Sequence, residues 1–136
     1  MKSSLTTQHL ELARASYARC QRSAGFFRRF YDTLLASDPA IPPYFVSTSF
    51  EKQERLLQHG VSLLLIYARR KNPVLLQRMA ERHGSADLAI PLRFYSLFVE
   101  SFIKSVEQDD PKSDGPTLAA WRTVLEPGIR CIQAGA

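Results

Sequence analysis

The residues most able to do chemistry gather around His83. Leu76, Met79, Ala80 and His83 fall on one face of a helical segment, so a polar ring ends an apolar stripe. An imidazole in that setting is either a hydrogen-bonded core or surface histidine or an axial ligand for a metal. His9 and His59 lack such a stripe and read as ordinary histidines. A second set lies earlier in the chain, where Gln53, Leu57, Gly60 and Leu64 are spaced to share one face of a long apolar segment. Gly60 permits the close approach of a flat ligand, and a buried glutamine must find a partner. His59, six residues after Gln53, is turned away from that face. Tyr31, in the aromatic stretch Phe26, Phe27, Phe30, Tyr31, adds a phenolic donor or one more core aromatic.

Haem asks for such parts: an apolar slot, one strong axial nitrogen, and cations near its two propionates. His83 can supply the nitrogen, with its other ring nitrogen held by a backbone carbonyl such as that of Met79. Arg82 is the neighbouring candidate for a propionate, or a solvated surface arginine. Tyr31 and Gln53 carry donors able to reach a bound gas molecule. A small register shift would bring Lys52 to the sixth coordination position instead.

Helices must position these groups, because apolar spacing near 3.6 runs throughout and no stretch keeps the alternation of a half-buried strand. The expected helices span about 6–22 and 24–36, then a short piece over 39–45 opened by Asp38-Pro39 and kept short by Pro42-Pro43. Thr48 and Glu51 have capping-box spacing, which opens a long helix to about residue 70. Asn72-Pro73 starts a shorter helix ending at His83, with Gly84 at its C-cap and a loop over 85–90. Two helices, about 91–108 and 116–133, close the chain, and Pro127 is expected to kink the last.

Composition limits the classes available. At 136 residues, 45% hydrophobic and 23% charged, the chain reads as one globular domain, 1–136, able to bury its own core. Its longest apolar run, 61–68, is too short to span a bilayer, and no signal-peptide pattern precedes it, so a cytoplasmic protein without membrane insertion is expected. The formal charge of +5 is scattered and no recognition element accompanies it, so nucleic-acid binding is not expected. Cys20 and Cys131 lack metal or redox spacing and read as reduced thiols, although packing of the first helix on the last would leave a bridge between them geometrically conceivable.

In their order along the chain these residues resemble the globins, and in particular the bacterial single-domain haemoglobins without a reductase domain. The resemblance runs from about Phe26 to Ile132. It rests on Phe30-Tyr31 with Leu34-Leu35 and Asp38-Pro39, on Pro43-Tyr44-Phe45, and on Phe50-Glu51-Lys52-Gln53 with Leu56-Leu57. Arg82-His83, Ile90-Pro91 with Phe94-Tyr95, and Ala120-Trp121 complete it. It implies an all-α, globin-like fold of about six to seven helices around a haem b pocket. In that family's terms His83 matches the proximal iron ligand, Phe45 the aromatic stacked on the porphyrin, Tyr31 the distal tyrosine, Gln53 the distal gate and Leu57 the aliphatic residue over the iron. Gly60, Met79, Arg82, Leu88 and Ile90 complete the expected pocket, with Phe94 or Tyr95 facing the haem.

The implied function is reversible binding of oxygen, with nitric oxide and carbon monoxide as further ligands and no catalytic residue assigned. The alternatives are dioxygenation of nitric oxide served by a separate reductase, gas sensing, and a haem-free helical module for protein interaction.

Overall fold

The computed structural model describes residues 5–83 and 90–134, without the side chains of Arg82 and His83. Among these residues there are six α-helices, two 3-10 turns and no strand. The expected all-α architecture is the one observed.

Helix α1 (Thr7–Arg22) starts on a reciprocal cap. The Thr6 hydroxyl accepts from the His9 amide at 3.2 Å, and the Thr6 amide donates to His9 Nδ1 at 3.1 Å. His9 therefore caps a helix, a role that its lack of an apolar stripe left open. Helix α2 (Phe26–Ser37) follows a turn at Gly25, whose φ of +81° is a left-handed conformation that side chains resist. The piece expected over 39–45 shortens to a 3-10 turn, Pro42–Phe45, because successive prolines remove the amides that a longer helix would need.

Helix α3 (Phe50–Arg70) is capped by Ser49, whose hydroxyl accepts from the Lys52 amide at 3.5 Å. The expected Thr48 to Glu51 capping box is thus replaced by a simple Ser49 cap, which leaves the Thr48 hydroxyl for another partner. After Asn72, whose side chain accepts from the Val74 amide, a 3-10 turn (Pro73–Leu76) runs into α4 (Gln77–His83). The single helix expected over 73–83 is split at this turn. Helices α5 (Arg93–Asp109) and α6 (Gly115–Ala134) complete the chain, and α6 remains helical through Pro127.

Trp121, Phe26, Phe30 and Phe102 form the centre of the core, joined by edge-to-face ring contacts. Where α6 crosses α3, the backbone at Gly128 lies so near the Leu64 side chain that a Cβ there would force the Leu64 tip to move. Cys20 is buried, Cys131 is half-buried, and both are free thiols. Among the described residues no helix is long and apolar enough to cross a membrane.

A charged group also lies inside. Asp110, at the end of α5, has a fully buried side chain that accepts from Ser16 Oγ at 2.7 Å, Arg19 Nε at 2.6 Å and the Lys112 amide at 2.9 Å. Ser16 in turn accepts from the Trp121 indole at 2.9 Å, so one carboxylate ties α1 to α5 and α6. Burial alone would raise the carboxyl's pKa, but the hydrogen bonds from Arg19, Ser16 and the Lys112 amide outweigh it and hold the carboxyl below its ordinary 3.8. A depressed folded value means that the associated stability is present above that ordinary value and is lost as pH falls through the folded one. Asp110→Asn should therefore cost about 2 kcal/mol at neutral pH, measured by urea unfolding, and should make stability fall less steeply below about pH 4 than in the wild type.

Candidate functional site

A cavity of about 1230 Å³ opens between α2, α3, α4 and the start of α5. Each wall follows from a helical face. Helix α2 presents Tyr31 and Leu34, α3 presents Gln53, Leu57, Gly60 and Leu64 at the expected helical spacing, and α4 presents Met79. The 3-10 turn supplies Phe45, whose ring stacks near-parallel to Phe50 at 6.4 Å and meets Tyr31 edge-on at 5.7 Å. Ile90, Phe94 and Tyr95 also line it, so both aromatic candidates reach the cavity.

All the described residues expected around a ligand are thus brought to one space. The side chains of Arg82 and His83, which carry the expected propionate and ligand contacts, and the whole of Leu88 lie outside what the structure describes. Lys52 is exposed and is not among the cavity-lining residues.

Two residues depart from the sequence reading. His59, expected to face away, lines the cavity at its exposed rim, because the space wraps around α3 into the cleft toward α4 and so meets more than one face of the helix. Arg78, singled out by no sequence pattern, lines the same cleft and forms no ion pair with any described residue. Its signal in sequence was only its place one residue before Met79. The close approach expected of a flat ligand at Gly60 is made by α4, since a Cβ there would lie 3.4 Å from Met79 Cε.

The polar groups of the wall are already engaged. The Tyr31 hydroxyl donates to the Gln53 main-chain carbonyl at 3.1 Å, and Gln53 Nε2 donates to Thr48 Oγ1 at 3.0 Å. Among the described residues no buried side-chain nitrogen or oxygen lacks a partner. Burial, with a smaller contribution from the Glu54 charge, pushes the Tyr31 phenol above its ordinary 10, so it stays a protonated donor at neutral pH. Among the described residues no group of His, Cys, Asp and Glu is arranged to hold a metal ion.

A second cleft, about 960 Å³, lies between α2, α5 and α6. Among its charged residues Arg122 pairs with Glu100 and Asp32 with Arg28, and it holds none of the expected site residues.

Among solved structures the chain is similar to a protein of Pseudomonas aeruginosa PAO1, with 34% identity, a TM-score of 0.90, and coverage of 93% of this chain and 97% of that one. That crystal structure is described as structurally highly homologous to a human hemoglobin. The chain belongs to the globin family. No family model matches it, and no curated protein matches it. The large cavity of this globin is built by the helices that the sequence pattern anticipated.

The Tyr31 shift has a measurable consequence for this globin. Above about pH 10 the unfolded chain releases the phenolic proton while the folded one retains it, so the stability that is full below that pH declines as pH rises toward the folded pKa. Tyr17, which burial pushes up to about 12, contributes in the same direction. In urea unfolding across the alkaline range, Tyr31→Phe should lose stability with rising pH less steeply than the wild type, and an unchanged slope would contradict the burial of this phenol.

Proposed function

We propose that this globin, read as a single domain, holds one haem b in the cavity with His83 as its axial ligand and binds oxygen reversibly, with nitric oxide and carbon monoxide as further ligands. The observation that carries the reading is the convergence of Tyr31, Phe45, Gln53, Leu57, Met79 and Phe94 on one apolar space.

The residues fit the group. A haem is a broad apolar disc, and the cavity exceeds the roughly 300–1,000 Å³ usual for small-ligand pockets. Its walls are aromatic at Phe45, Phe94 and Tyr95 and aliphatic at Leu57, Leu64 and Ile90. Its rim carries Arg78, available to an acidic group, and His83 closes the helix that forms one wall. The haem, when bound, supplies an iron able to take a diatomic gas.

The chain's own contribution is a set of donors. Tyr31 keeps its proton and sits in the wall, and the Gln53 amide lies beside it. Either can donate to a bound molecule that carries partial negative charge, which oxygen does more than carbon monoxide. Each donor must exchange a protein acceptor for the ligand, so its net effect is modest, about 1 kcal/mol.

Two measurements test the reading. The purified or haemin-reconstituted protein should show a visible haem absorption band that His83→Ala abolishes or shifts strongly; absence of any band, or a band unchanged in His83→Ala, would defeat the assignment. The double variant Tyr31→Phe, Gln53→Leu should speed oxygen dissociation on the order of tenfold while changing carbon monoxide dissociation far less. Equal changes for the two gases would remove Tyr31 and Gln53 from the distal role.

A further inference from the structure

We infer that Thr48 is a positioning residue that parks the Gln53 side-chain amide at the cavity rim and thereby sets how often that amide is available to a ligand inside. The inference rests on the gas-binding reading of the same cavity and adds to it the residue that regulates one of its donors.

The local chain explains how Thr48 comes to do this. Ser49 takes the helix cap, so the Thr48 hydroxyl is not spent on the amides of the first turn. It accepts from Gln53 Nε2 at 3.0 Å across five residues, and both side chains are half-buried and line the cavity. The backbone of Gln53 is fixed independently: its amide donates to the Ser49 carbonyl at 3.0 Å and its carbonyl accepts from Tyr31 at 3.1 Å. Only the flexible end of the side chain is left to move. Its resting position is decided by a single hydrogen bond to a side chain that is not itself in the donor set proposed for the ligand.

A ligand acceptor in the cavity competes with Thr48 for the same N–H. Removing the hydroxyl while keeping the shape of the side chain takes away that competitor, and a partly exposed hydrogen bond of ordinary strength corresponds to about a 2- to 10-fold change in the released population. The expected sign is unusual for a substitution at a binding cavity, because losing a polar group should strengthen retention of the ligand.

The test compares the wild type with Thr48→Val and Thr48→Ser, each also in a Gln53→Leu background. In haem-loaded protein, Thr48→Val should slow oxygen dissociation about 2- to 10-fold relative to carbon monoxide dissociation. Thr48→Ser, which keeps the hydroxyl, should behave as wild type, and the effect of Thr48→Val should vanish when residue 53 is leucine. In haem-free protein, the side-chain amide protons of Gln53 followed by nuclear magnetic resonance should exchange faster with water in Thr48→Val than in wild type or Thr48→Ser. An oxygen effect that persists without the glutamine amide, or an exchange rate indifferent to the hydroxyl, would overturn the inference. If the protein takes up no haem, the gas-binding reading fails and the exchange measurement alone decides whether Thr48 parks the amide.

Discussion

The structure depends on how closely α3 can approach α6. At Gly128 the backbone of α6 meets the Leu64 side chain so closely that a Cβ would displace it, and the same Leu64 also lines the cavity. Leu64 is thus shared between the core and the cavity wall. Helix α3 thus rests on α6 at this point, while Gln53, Leu57 and Gly60 of the same helix line the space between α2 and α4. A protein interior ordinarily closes such gaps. Here the helices leave a space lined by aromatic and aliphatic side chains.

The bracing at the other end of the molecule is polar. Asp110 gathers Ser16, Arg19 and the Lys112 amide, and Ser16 carries the connection on to Trp121 at the centre of the core. A buried carboxylate is costly unless its oxygens are fully hydrogen-bonded, and here they are. The network locks α1 against α5 and α6 on the side of the core away from the cavity. Near its edge, Arg29 and Ser23 bind the neighbouring Asp109, which extends the tie to the turn before α2.

The cavity wall combines an apolar surface with donors that are never left idle. Tyr31 rests on the Gln53 carbonyl and Gln53 on Thr48, so the wall is satisfied as it stands. Both bonds are of the ordinary kind that a competing acceptor can replace at small net cost. Such a wall is stable by itself and still able to answer a polar ligand. The exposed Arg78 and His59 at the rim set a different chemistry at the entrance from that of the aromatic interior.

Much of this was legible in the residues themselves. Helical periodicity, proline and asparagine punctuation and the face shared by Gln53, Leu57, Gly60 and Leu64 depend on neighbours within a few positions, and those local rules carry over to the folded chain. The choice between Thr48 and Ser49 as cap is also local, but the two hydroxyls compete within one turn and spacing alone does not rank them. Long-range partners were beyond sequence reasoning. Asp110 reads as one polar residue in a polar stretch until the fold sets it against Ser16 and Arg19, more than ninety positions away. His59 and Arg78 become rim residues only because α3 and α4 flank one cleft, and Gly128 matters only because Leu64 lies across from it. Sequence determined which faces are apolar and where helices start and stop, since backbone and neighbouring side chains decide that. Tertiary structure decided which faces meet and which stand apart, since that depends on how the described helices pack together.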